Sequence, residues 1–116
     1  MERQVRTIKY YKNYFREFYL SQTEQVQAKF GYVLQMLEYK EWVSEKFLKH
    51  FEGSKGLYEI RVDVGSNIFR AFCFFDAGRL VILINGFQKK SQKTPKEEIK
   101  LAEKLMKEYF EEKKNK

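Results

Sequence analysis

Two arginines stand where arginines are awkward. Arg70 interrupts an otherwise apolar run from Ile68 to Phe75, and Arg61 sits on the polar face of the segment before it. A guanidinium among Ile68, Phe69, Phe72 and Phe74 is expensive to bury unpaired, so it needs an anion. One source is internal: Glu59 or Asp63, across a hairpin, as a salt-bridge partner. The other is external: a phosphate, whose oxygens match the planar fork of donors. Periodicity alone favours the internal pair. The segment Asn85-Gly86-Phe87-Gln88-Lys89-Lys90-Ser91-Gln92-Lys93-Thr94-Pro95 adds cations, amides and one aromatic, the groups that single-stranded RNA binding uses. A solvated charged loop is the plain alternative.

Other chemistries lack their residues. There is no G-x-x-x-x-G-K-[ST] phosphate loop, no Gly-rich dinucleotide turn and no carboxylate cluster with metal-ligand spacing. One cysteine and one histidine exclude an internal disulfide and a Cys/His zinc cluster. Neither a metal nor a cofactor is expected. His50, between Lys49 and Phe51, reads as a surface or half-buried helix residue, and Cys73 as buried core.

Elements of clear period must position these groups. Val5 to Tyr10 reads as a short strand, and Tyr14 to Tyr19 spaces its aromatics at helical intervals. Ser21-Gln22-Thr23-Glu24 fits a capping box, followed by a stripe of Val26, Phe30, Val33, Leu34 and Leu37 on one helix face. These two helices are expected to form a hairpin on a sheet. Glu41 to Phe51 suggests a short third helix, broken at Gly53-Ser54-Lys55-Gly56. From Leu57 to Val64 the period changes to two. Turns at Gly65-Ser66-Asn67 and Asp76-Ala77-Gly78-Arg79 then join three strands into an antiparallel meander ending with Leu80 to Phe87. Thr94-Pro95-Lys96-Glu97 predicts a capped helix with Ile99, Ala102, Leu105, Met106 and Tyr109 inward and a Glu103–Lys107 surface pair. The polar tail from Glu111 is expected to fray. The class is α+β, with helices packed against an antiparallel sheet.

Size and charge agree with one basic domain over residues 1–116. At 116 residues and 43% apolar composition the chain supports one core. The longest apolar run is five residues, too short to span a membrane, and Met1-Glu2-Arg3-Gln4 lacks the apolar stretch of a secretory signal, so a cytoplasmic protein is expected. A formal charge of +7 either draws such a domain toward polyanions or serves solubility alone, and where the charge sits decides more than its total. No acid lies between Ala77 and Lys96, whereas Arg79, Lys89, Lys90, Lys93 and Lys96 are all basic.

The ordered set Gly56-Leu57-Tyr58-Glu59-Ile60-Arg61, Phe69-Arg70-Ala71-Phe72, and Gly86 through Pro95 with Glu98 and Ala102 resembles the HigB-like branch of the RelE/ParE toxin superfamily. The resemblance runs from Gly56 to Tyr109, and the N-terminal strand and helical hairpin agree with it. It implies a RelE-like fold and a toxin of a type II toxin–antitoxin pair: a metal-independent endoribonuclease cutting mRNA on the ribosome. The 2′-hydroxyl attacks the adjacent phosphate, so the site needs a base, cations for the developing charge and a proton donor for the leaving oxygen. By the same resemblance Arg70 contacts the scissile phosphate, with Arg61, Lys89 and Lys90 around it. Glu59, where relatives carry a basic residue, is either the base or an ion-pair partner. Phe87, Gln88, Lys93, Lys55 and Arg79 are the expected RNA contacts. The implied partners are a helix-turn-helix antitoxin, the ribosome and mRNA. The alternatives are a ParE-like inhibitor that binds DNA gyrase and a protein that binds RNA or the ribosome without cutting.

Overall fold

The alternation of Tyr58, Ile60, Val62 and Val64 with Glu59, Arg61 and Asp63 does build a strand. In the computed structural model, which describes residues 3–116, it lies near one side of a five-stranded sheet. Met1 and Glu2, part of the N-terminal reading, lie outside the described residues. The element order is β1 (Thr7–Tyr10), α1 (Tyr14–Leu20), α2 (Glu24–Tyr39), β2 (Leu48–His50), β3 (Tyr58–Val64), β4 (Asn67–Asp76), β5 (Leu80–Lys89) and α3 (Lys96–Lys114). The sheet order is β1-β5-β4-β3-β2. The expected meander forms β3, β4 and β5, and β1 joins β5 in parallel. The two-residue turn Gly65-Ser66 is closed by Val64 opposite Asn67 and has Gly65 at φ 59°, a left-handed conformation that costs glycine little.

Period two divides the core in two. Ile60, Val62, Phe69, Ala71, Cys73, Val81 and Leu83 face α1 and α2, meeting Phe15, Val26, Phe30, Val33 and Leu37. Phe72, Phe74, Ile82, Ile84 and Phe87 face α3, meeting Ala102 and Leu105. The α1 and α2 helices reach the sheet separately, over β5 and β3, and touch each other through Phe15 and Phe18 against Phe30. Cys73 is fully buried, as expected, and burial pushes its thiol up to about 12.

Several local expectations give way to longer-range demands. Residues 41–51 form no helix. Leu48–His50 is an edge strand on β3, with Leu48 opposite Ile60, while Trp42 is left 80% exposed. His50 is therefore an exposed strand residue, edge-on to Tyr58. No capping box forms at Ser21. Its hydroxyl donates back to the Phe18 carbonyl, and Thr23 caps α2 by accepting from the Val26 N–H. Pro95, not Thr94, is the N-cap of α3. Glu103 accepts from Ser54 rather than pairing with Lys107. The tail does not fray at Glu111, because α3 is helical to Lys114.

That last turn is pinned. Asp76, 6% exposed, accepts from the Tyr109 hydroxyl at 2.6 Å and from Lys113 Nζ at 2.8 and 2.9 Å. Lys113, helped by Tyr109, holds the Asp76 carboxyl below its ordinary value of 3.8. A carboxyl with a depressed folded pKa adds stability above its unfolded value and loses it as pH falls through the folded one. Asp76→Asn is therefore expected to flatten the acid limb of the stability curve below about pH 4, as followed by thermal melts from about pH 2 to about pH 7. An acid limb as steep as the wild type's would assign the acid sensitivity to other carboxylates.

Candidate anion-binding site

The α3 helix lies over β5 and β4, and the face of the sheet it packs on continues past Phe72 and Phe87 toward Lys89. Register places the awkward arginines there. Arg61 is directly opposite Arg70, Arg70 is opposite Phe87, and Ile68 is opposite Lys89. Directly opposite residues stand about 5 Å apart and diagonal ones about 7–8 Å. Glu59, Arg61 and Asp63 of β3 share this face with Arg70 of β4 and Lys89 of β5, following the alternation that puts Phe72 and Phe87 under α3.

Arg70 is 4% exposed. Its Nη1 donates to Asp63 Oδ1 at 3.1 Å and to the Phe69 carbonyl at 2.8 Å, so the internal ion pair is present and its partner is Asp63. Its Nε is buried without a partner, as is the Nε of Arg61. Arg61 has one long contact, Nη1 to the Glu45 carbonyl at 3.5 Å. Glu59 is 7% exposed. Burial, and after it the Arg70 charge, lowers the Lys89 pKa from its ordinary value, with Glu59 and Asp63 opposing. Two buried N–H groups without acceptors, beside a lysine whose charge is disfavoured, make a site short of anion.

The remaining expected contacts divide. Lys90 and Lys93 are exposed on the 90–95 segment leading away from Lys89, and Lys55 is exposed in the turn before β3. Phe87 is 6% exposed with its ring against Phe72, so it serves the core and offers no face to a base. Gln88 lies on the other face, opposite Phe69. Arg79, just before β5, is ten residues from Lys89, about 33 Å along the strand, and is engaged with the Val5 carbonyl and Glu41. Asn85, read in the sequence as one of the amides of the 85–95 segment, turns inward instead. It is 1% exposed and donates to the Glu98 carbonyl at 3.1 Å and side chain at 3.0 Å, fixing the start of α3 where β5 bulges opposite Phe72. A lone asparagine in an apolar run is its only signal.

A cavity of about 760 Å³ between β1, α1 and α2 is lined by Tyr10, Phe15, Tyr19, Leu34 and Tyr39 among others and holds none of these groups. Among the described residues no helix is long and apolar enough to cross a membrane, and no group of three or more His, Cys, Asp or Glu stands ready to hold a metal ion.

Comparison with known proteins bears on the family and the fold. The sequence model of a family described as "Phage derived protein Gp49-like" matches residues 17–107, most of the chain. The crystal structure of an archaeal RelE–RelB complex from Pyrococcus horikoshii OT3 contains a chain that superposes with a TM-score of 0.52 at 17% identity, over 77% of this chain and 99% of that one. That likeness shows a RelE-like fold. No curated protein matches the chain.

Proposed function

The chain belongs to the Gp49-like family of phage-derived proteins, and we propose that it is the toxin of a type II toxin–antitoxin pair, of the HigB-like branch, cutting messenger RNA on the ribosome without a metal. One observation carries the ribonuclease reading: a nearly buried arginine, paired with a single exposed carboxylate, whose unpartnered Nε lies on the same face of the sheet as that of Arg61. A phosphodiester supplies the acceptors those groups lack. The RelE-like fold supports the toxin reading, and the archaeal RelE was seen in complex with RelB. The partner proposed here is a helix-turn-helix antitoxin encoded beside this gene.

The residues divide the work of transesterification. Arg70 and Arg61 hold the non-bridging oxygens and stabilise the charge that grows on them. The 2′-oxygen bonds to phosphorus and gives its proton to Glu59. The bond from phosphorus to the 5′-oxygen breaks, and Lys89 delivers a proton to that oxygen, leaving a 2′,3′-cyclic phosphate and a 5′-hydroxyl. A lysine of lowered pKa is the better acid for that step. Lys90 and Lys93 hold the flanking backbone.

Lys89→Met is therefore expected to slow cleavage about 100-fold or more. A substrate whose leaving 5′-oxygen is replaced by sulfur needs no proton, so on it the variant should approach wild-type rate. An equal defect on both substrates would remove Lys89 from the proton-donor role. The whole reading is tested by inducing the gene briefly and mapping RNA ends. New 5′-hydroxyl ends in phase with codons support it, whereas growth arrest without new ends favours a gyrase-type or binding activity.

A further inference from the structure

Arg70 does not stand empty, and what fills it is unusual. Its partner Asp63 is 65% exposed, at the end of β3 beside the Gly65-Ser66 turn, while the arginine side chain is 5% exposed. A buried cation is thus compensated by a carboxylate that water already solvates and that loses little by leaving. The contact is single: one carboxylate oxygen on one Nη1, with the Arg70 and Arg61 Nε atoms unmet. A carboxylate built to fix the arginine permanently would use the bidentate geometry that a guanidinium favours. Arg61 and Arg70, directly opposite each other, and Lys89, diagonal to Arg70, also repel; of the two carboxylates on this face Glu59 is buried, and Asp63 is the one that water can take back.

We propose that Asp63 is an internal stand-in for the scissile phosphate. It holds Arg70 in place while the site is empty, and an incoming phosphodiester displaces it and takes both arginines. Asp63 is then a positioning residue that competes with substrate: it weakens RNA binding and disfavours anions too weak to outcompete a carboxylate. This rests on the proposed function of the site and adds regulation to it.

The test is binding of a fluorescein-labelled 2′-O-methyl hexauridylate, which has no free 2′-hydroxyl to react, followed by anisotropy across a salt series. Asp63→Asn keeps an acceptor oxygen for Nη1 but removes the competing charge. It should bind about tenfold tighter, the worth of one charge-assisted hydrogen bond, with a salt slope steeper by about one ion. In an Arg70→Lys background the same substitution should gain little. Equal gains in both backgrounds would reduce Asp63 to one more negative charge and overturn the proposal, as would a folded Asp63→Asn that binds no tighter. Where Asp63→Asn folds poorly, wild-type protein decides: the Asp63 carboxyl carbon resonance should shift as the oligonucleotide saturates, and an unmoved resonance in the bound state overturns displacement. If the wild type binds neither the free oligonucleotide nor 2′-O-methyl mRNA held in a ribosome, the ribonuclease reading fails with it, an outcome distinct from binding that ignores Asp63.

Discussion

Arg70→Met is expected to abolish RNA cleavage while leaving the fold as stable as the wild type, or more so. Loss of a donor aimed at developing phosphoryl charge costs about 100- to 1000-fold in rate, enough to remove growth arrest on induction. The stability half follows from who is buried. Removing one member of a buried ion pair is destabilising because it strands a charge in a poor solvent. Here the member removed is the buried one, and the survivor, Asp63, is 65% exposed and stays solvated. Methionine fills a comparable volume among Ile68, Phe72 and Phe87, and the unpartnered Nε leaves with the arginine. A melting temperature at or above wild type, together with absent 5′-hydroxyl ends, is the result that marks Arg70 as kept for chemistry at the expense of stability. Full cleavage by a folded Arg70→Met protein would sink the assignment of the phosphate to Arg70. A variant that melts far below wild type would show that the guanidinium is structural.

The asymmetry of that pair also explains what was legible in the chain. Arg70 announced itself because a charged residue amid Ile68, Phe69, Phe72 and Phe74 breaks a pattern that burial enforces. Its partner did not, because Glu59 and Asp63 both alternate onto the same face, each diagonal to Arg70, and only the side-chain geometry shows which reaches Nη1. The meander and the α2 stripe were readable because their signals are local: period two closed by glycine turns, and period 3.6 along one face. The elements misread depend on distant partners. Residues 41–51 have helix-compatible apolar spacing, but the free edge of β3 takes Leu48–His50 as a strand, with the Arg61 N–H bonded to the Phe47 carbonyl. The parallel pairing of β1 with β5 joins segments about 70 residues apart, and no local pattern specifies it. The cap of α2 was misassigned because Ser21 and Thr23 are both cap-competent and Ser21 turns back to the Phe18 carbonyl, whereas the N-cap position of α3 falls on Pro95, which has no capping side chain. Arg79 looked like part of the basic set because it belongs to the same acid-free stretch, although ten residues of extended strand carry it to the other end of the sheet.

Gly86 carries the largest stability prediction, and it ties the core to the site. The residue lies on β5 between Asn85, which holds the start of α3, and Phe87, which backs the arginine face. On the opposite side of the sheet a Cβ built at Gly86 would meet the Phe18 ring, with Cε2 at 2.9 Å and Cγ at 3.0 Å and Cδ2 nearer still. Real Cβ atoms essentially never come so close, so something must move. The ring is not free to do so, being packed against Phe15, Phe30 and Phe69 with centroids 6.1, 5.7 and 6.5 Å away. The strain therefore passes to α1, pushed off β5, or to β5 itself at its bulge. Gly86→Ala is expected to cost about 3 kcal/mol, the upper part of the range for overpacking, and about 10 °C or more in melting temperature for a domain of this size. Phe18→Leu, which removes the ring edge, should itself destabilise but should relieve most of the Gly86→Ala penalty when combined with it, giving a strongly non-additive cycle. If the two penalties simply add, the close approach of α1 to β5 is not what requires glycine. If the double variant regains stability but cuts RNA slowly, the displacement has travelled along β5 to Lys89, three residues beyond, and the glycine sets the position of the site as well as the packing of the helix.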